Sequence, residues 1–245
     1  MKTQINHTIV VAISVLFSMT CQAQKAISGS ISNYTGGEKL IAFYDMISKE
    51  TMEIGTIHEE GNFSIPLDEN YLKTIKLKAE NAKAKAPEGW EIEFKTVATT
   101  FECSGLMVEY ENGGALVAGM PDLEVKAKNA EWDESVMYAV SNPEIANWLY
   151  SYGEKNSAQG YYLQWFFVEE PASAKAECLW QTSVSTGETY NNKTIINLEL
   201  QKGWNIIKYN IAEVFTDANG KIIPSKTEIS RIDRIPDNIQ WVVVK

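Results

Sequence analysis

Few side chains in this sequence could do chemistry, and their spacing narrows the choice further. Its 245 residues hold three cysteines and two histidines. Cys103 and Cys178 both stand in strand-like runs, Phe101-Glu-Cys103 and Ala176-Glu-Cys178. In an oxidising compartment they could pair, closing a loop of about 75 residues and adding about 4 kcal/mol in the chain-entropy account. Two separate buried thiols fit the sequence equally well, because free cysteine is among the most buried residue types. The sequence does not give the Cα separation that decides between them. There is no C-x-x-C motif, so thioredoxin-like exchange lacks its reactive pair. His58 is the one histidine beyond residue 23 and ends a strand-like run before a turn. Ser-His-Asp and Cys-His catalysis need a histidine with an orienting partner, and none is evident. Zinc sites built on histidine or C-x-x-C pairs are missing too.

Carboxylates are plentiful, with 32 Asp and Glu. Glycoside hydrolysis needs two of them, about 5–10 Å apart. Glu91-Ile-Glu93-Phe faintly resembles the EIDxxxE strand of laminarinase-like hydrolases, but Glu replaces Asp and Val97 holds the third acid's place. The plainer reading is a solvated strand face beside Lys95. Asp217-Ala-Asn219-Gly220 lacks the further acids of a calcium loop and reads as an Asn-Gly hairpin turn. Glu131, Asp133 and Glu134 surround Trp132 and read as a structural-ion site or a solvated loop. No cofactor motif is present.

The positive signal is aromatic, with seven Trp and 11 Tyr. Trp165 and Trp241 lie in apolar runs and read as core. Trp90 and Trp204 each follow a glycine at a strand start and would pack across the end of the fold. Trp132, Trp180 and Tyr190 sit beside polar or turn sequence, so they are the candidate exposed ligand-binding residues. Flat aromatic faces suit sugars and protein hot spots alike.

The elements that must hold these residues are mostly strands. Period-two alternation recurs at Ile27–Ile31, Phe63–Leu67, Ile75–Ala79, Ile92–Phe94, Val108–Tyr110, Leu123–Ala127 and Ile196–Leu200. Turn sequences such as Glu60-Gly61-Asn62 and Asn112-Gly113-Gly114 separate the runs. Tyr161–Val168 and Ile239–Val244 are apolar on both phases and must be covered, the first as a central strand. One helix is expected, capped by Asn142, with Pro143 in its first turn and Gly153 at its end. Ile145, Trp148, Leu149 and Tyr152 would share its buried face. The pattern predicts an all-β protein of antiparallel sandwiches with one short helix. Residues 24–85 would form a small sandwich and 86–245 a larger, jelly-roll-like one. Asn81–Gly89 is the expected linker, or else an exposed edge strand.

Residues 1–23 read as a secretory signal peptide, with Lys2, a short apolar run from Ile9 to Phe17, and a cleavage site between Ala23 and Gln24. The apolar run is too short to span a bilayer. Lipidation at Cys21 is the alternative, although Ser18 and Thr20 depart from the bacterial lipoprotein pattern. Cleavage removes Lys2 and no acid, so the net charge moves from -10 to -11. That charge, with Arg231 and Arg234 the only arginines, excludes a nucleic-acid surface.

Residues 26–67 resemble the carboxypeptidase-regulatory, transthyretin-like β-sandwich of exported bacterial proteins. The matching residues are Ile27-Ser-Gly29-Ser-Ile31, Leu40–Tyr44, Gly55-Thr56-Ile57 and Glu60-Gly61-Asn62-Phe63-Ser64-Ile65. The resemblance implies a non-catalytic spacer or interaction module and carries over no site residue. Together these readings predict an exported, periplasmic or extracellular binding or structural protein of a Gram-negative envelope. Its partner would be a glycan or an envelope protein. No membrane span is expected in the mature chain and no enzyme activity, a carboxylate hydrolase being the third reading.

Overall fold

Alternation of apolar and polar residues builds the fold, because it gives each strand one face to bury. The computed structural model describes residues 25–245 except 33, 88, 90, 104, 105 and 129–134. The signal segment, with Cys21, Ala23 and Gln24, and Trp132 therefore lie outside the described residues, as do Trp90, Glu131, Asp133 and Glu134. The first strands are β1 (Ala26–Ser30), β2 (Lys39–Asp45), β3 (Glu50–Ile57) and β4 (Asn62–Pro66). Helices α1 (Tyr71–Lys83) and α2 (Val97–Thr100) precede β5 (Glu109–Glu111), β6 (Val117–Gly119), β7 (Leu123–Lys126) and β8 (Ser135–Val140). Helix α3 (Pro143–Tyr150) leads into β9 (Gly160–Val168), β10 (Ala172–Ser183) and β11 (Thr189–Leu200). The chain closes with β12 (Gly203–Thr216), β13 (Ile222–Ile232) and β14 (Gln240–Val244).

The protein is an all-β sandwich. One layer runs β1-β4-β3-β2-β7-β8, with β14 on the far edge of β8. The other runs β9-β12-β13-β11-β10-β5, with β6 beside β9. A single residue pair, Val140 with Tyr162, joins the two layers at β8 and β9. Between them Ile27, Ile41, Phe63 and Leu123 of the first layer meet Leu163, Trp165 and Ile206 of the second. Trp165 stacks on Trp241 with ring centroids 5.8 Å apart, so both are core, as their apolar runs predict.

One pairing departs from the antiparallel expectation: β11 and β13 run parallel. The cause is topological. β12 pairs with β9 and β13 rather than with β11, and β13 returns into the slot between β12 and β11. Running back along β12, it must travel in the direction of β11.

Three further expectations fail locally. Ile75, Leu77 and Ala79 are not strand residues; they lie in α1. A strand would bury all three together. The helix buries Leu72 and Ala79 and leaves Leu77 58% exposed, which is the 3.6-residue period overriding an accidental period of two. The stretch Lys-Leu-Lys-Ala-Glu-Asn-Ala-Lys consists mostly of strong helix formers, so propensity favours this outcome. Residues 81–83 are the last turn of α1, so Asn81–Gly89 begins as helix rather than as linker or edge strand. Ile92 and Phe94 lie in extended chain outside any strand; the segment gains only a Thr96–Leu116 bridge.

Helix α1 is tied down at several points. Tyr71 packs on Trp204 with centroids 4.7 Å apart, and the Trp204 indole donates to the Asp68 carbonyl at 2.9 Å. Lys78 pairs with the buried Asp45 at 2.6 Å, and Lys76 with Glu169 at 2.6 Å. Burial pushes the Asp45 carboxyl up, but the Lys78 ammonium and the Ile47 amide outweigh that and hold it below the usual range. Residue 85 follows α1, and the core is continuous across it: β2 pairs with β7, and Ile41 shares a cluster with Leu163. No helix among the described residues is long and apolar enough to cross a membrane.

Helix against strand is testable at α1. Leu72→Ala should cost about 2–5 kcal/mol in urea unfolding, and Leu77→Ala less than about 0.5 kcal/mol. Equal losses at the two positions would contradict the helix.

Candidate functional site

The long β10–β11 hairpin carries two of the three sequence-predicted residues, and its register decides whether they meet. Trp180 pairs with Asn192, and Thr182 with Tyr190. Cross-strand partners point to the same side of a sheet, and so do residues two apart along a strand. Trp180, Thr182, Tyr190 and Asn192 therefore share one face. It is the same face that buries Ala174, Cys178, Ile196 and Leu198 nearer the core. Trp180 stays 37% exposed and Tyr190 is half-buried.

The neighbouring strands extend this face. Thr194 pairs with Thr227 across the parallel register, which brings Ser225 and Ile223 of β13 to the same side. Phe215 of β12 pairs with Ile223. The two register shifts between Ile211 and Val214 cancel, so Phe215 keeps the phase of Ile211 and lies on this side. Its ring stacks on Tyr190 at 4.8 Å and 7° between planes. Burial pushes the Tyr190 hydroxyl above the ordinary tyrosine range, so it is a neutral hydrogen-bonding group at physiological pH.

The result is an uncharged face. Trp180 and the Tyr190–Phe215 stack form an aromatic rim, and half-buried Asn192, Thr194, Ser225 and Thr227 form a floor of amide and hydroxyl groups. The lysines and glutamates of these strands fall on the opposite face, where Lys193 pairs with Glu177 at 2.6 Å and Lys226 with Glu228 at 3.0 Å, while Arg231, in phase with Thr227 but at the far end of β13, pairs with Asp233 at 2.7 Å. The hairpin tips are locked together, because the Glu188 carboxylate accepts from the Ala218 amide at 2.7 Å and from the Thr186 hydroxyl at 2.9 Å.

Cys103 and Cys178 form a disulfide, with Cα atoms 6.1 Å apart. Cys178 is buried in the middle of β10, and the bridge fastens the α2 segment over it. Val97, Phe101 and Val117 close the same cluster, so the sheet face below the aromatic rim is covered.

The remaining candidates have structural roles. His58 is exposed in the turn after β3, where its amide donates to the Asn62 carbonyl and its carbonyl accepts from the Gly61 amide. Glu91 lies outside any strand and binds Lys83 at 3.2 Å, and Val97 is buried in α2, so the hydrolase-like spacing is not displayed on a strand. Asp217 folds its turn by accepting from the Asn219 and Lys221 amides. Among the described residues no cluster of His, Cys, Asp or Glu could hold a metal ion.

Sequence reasoning missed Phe215, Asn192, Thr194, Ser225 and Thr227. Asn192 and Thr194 were within reach, being in phase with Ile196 and Leu198. The β13 and β12 residues were not, because only the parallel pairing of β11 with β13, and the antiparallel pairing of β13 with β12, bring them alongside. Comparison with family models, curated proteins and solved structures finds no match for this chain.

Replacing Cys103 and Cys178 together by serine should lower the unfolding free energy by about 2–5 kcal/mol, read as an earlier urea midpoint. An unchanged midpoint would show that the bridge does not constrain the fold.

Proposed function

We propose that this chain is an exported, non-catalytic binding protein of the bacterial envelope. Its ligand is a neutral glycan held on the uncharged face of β10, β11 and β13. One observation carries the reading: Trp180 and Tyr190 occupy the same open face. A pyranose ring offers one apolar face and a rim of hydroxyls. Trp180 supplies a flat apolar surface, and the amide and hydroxyl floor both donates and accepts. With the lysines and glutamates of these strands on the reverse face, no ion beside Trp180 and Tyr190 has to be desolvated when a neutral ligand docks.

Export is supported by the signal-like residues 1–23 and by a disulfide that persists only where thiols are oxidised. The transthyretin-like resemblance remains a proposal for residues 26–67, supported by the four antiparallel strands that segment forms. On that account β1–β4 would be the module facing a protein partner in the envelope.

Affinity electrophoresis on soluble polysaccharides tests the ligand. The folded chain should be retarded by at least one neutral polysaccharide, and Trp180→Ala should weaken that binding about tenfold. Retardation on none, or equal retardation of the variant, would overturn the glycan face. Intact mass of the exported protein tests the address: it should begin at Gln24, whereas a diacylglyceryl adduct on Cys21 would replace that reading with lipid anchoring.

A further inference from the structure

The layers part at β8, and the gap they leave has its own chemistry. β14 occupies one edge of β8, pairing with both Val136 and Val140. The opposite edge is therefore shared: β7 takes Val136 through Glu124, and β9 takes Val140 through Tyr162. Between these two contacts the edge diverges into a cavity of about 140 Å³. Tyr138, Tyr152, Tyr162 and Trp165 line it, and Asp122 and Gln164 add a carboxylate and an amide.

The electrostatics are one-sided. No lysine or arginine among the described residues lines the cavity. Among the described residues the Asp122 carboxylate makes no hydrogen bond and no ion pair. Burial pushes the Asp122 carboxyl above the usual carboxylate range. Burial, and then the Asp122 charge, push the Tyr138 hydroxyl up, so the two groups lie within electrostatic reach.

Tyr152 is held at the rim against backbone preference. It was expected on the buried face of α3, but the helix ends at Tyr150 and the ring is 96% exposed. Its φ is +50°, the left-handed region that glycine occupies at no cost. Gly153, also left-handed, follows it and caps the helix through its amide on the Trp148 carbonyl at 2.9 Å. Lys221 then pins the loop, its ammonium donating to the carbonyls of Gly153, Glu154 and Lys155 at 2.5–2.9 Å. A tyrosine where glycine is favoured, on a pinned loop at a cavity mouth, is placed for its ring.

We propose that this cavity is an aromatic cage for a quaternary ammonium group, with Asp122 as its counter-charge. Ring faces attract a cation through their quadrupoles, most strongly where water is excluded. A trimethylated nitrogen has no N–H to satisfy, which suits a wall made largely of aromatic and aliphatic carbon. A primary ammonium is strongly hydrated and would exchange that water for a few scattered acceptors. Asp122 is exposed at the rim of the free cavity, so a neutral ligand seated there would strip water from its carboxylate and leave it unpaired. The site is separate from the glycan face and does not depend on it.

Calorimetric titration with choline tests the cage, set against its neutral tert-butyl isostere. Choline should bind saturably, and the isostere about tenfold more weakly or not at all. Asp122→Asn and Tyr152→Gly should each weaken choline about tenfold. The glycine variant relieves the backbone, so its loss cannot come from misfolding, and it should leave polysaccharide retardation unchanged. Co-sedimentation with phosphatidylcholine vesicles, reversed by tetramethylammonium, would identify a lipid headgroup as the source of the cation. Affinity for free choline without vesicle binding would identify a soluble one. Absence of both, equal binding of the isostere, or unchanged affinity in Asp122→Asn would overturn the proposal.

Discussion

Strand β9 is apolar on both faces, and much of the structure is arranged to cover it. Its odd residues Tyr161, Leu163 and Trp165 fill the space between the layers. Its even residues Tyr162, Phe166 and Val168 face outward, where a simple sandwich would meet water. Burying a large apolar side chain contributes about 1.5–3 kcal/mol, so a bare outer face would forfeit several such terms and invite aggregation. Helix α3 covers one end of that face, and the disulfide-fastened α2 segment covers the other. Between the two covers Gln164 is exposed, the one polar side chain among the strand's apolar ones.

This constraint explains why the irregular parts of the chain matter. Residues 91–108 have little backbone pairing of their own, so they need an anchor to act as a lid on β10 and β11. Cys103–Cys178 provides it, while Tyr110 reinforces the segment by donating to the Ala98 and Phe101 carbonyls. At the other end Asn142 caps α3 through the Glu144 amide, and Lys221 holds the loop that follows. Cover on both sides leaves two openings: the face beyond the disulfide and the seam at β8. Both are lined with aromatic rings for the same reason. They are the margins of a core built from large flat side chains, and each margin exposes the last rings of a row.

The two openings differ in charge, and that separates the ligands proposed for them. Strand alternation sends the lysines and glutamates of β10, β11 and β13 to the reverse face, leaving the rim of Trp180 and Tyr190 neutral. At the seam, no alternation supplies a partner for Asp122, because it lies in the crossing segment between β6 and β7 rather than in a paired strand.

The sequence by itself determined most of the strands, the helix at Asn142–Gly153 and the burial of Trp165 and Trp241. Period-two and capping signals are local, and local chemistry suffices to place them. It misread Ile75–Ala79, where three apolar residues two apart also fit a helix and only Leu77 reveals which period is real. It named Trp180 and Tyr190, but not that they share a face, because register is a property of two strands. Only the tertiary structure decided the rest. The parallel slot of β13, the stacking of Phe215 on Tyr190, the meeting of Cys103 with Cys178 and the seam at β8 all join residues far apart in the chain. No periodicity within one segment records what another segment will bring to it.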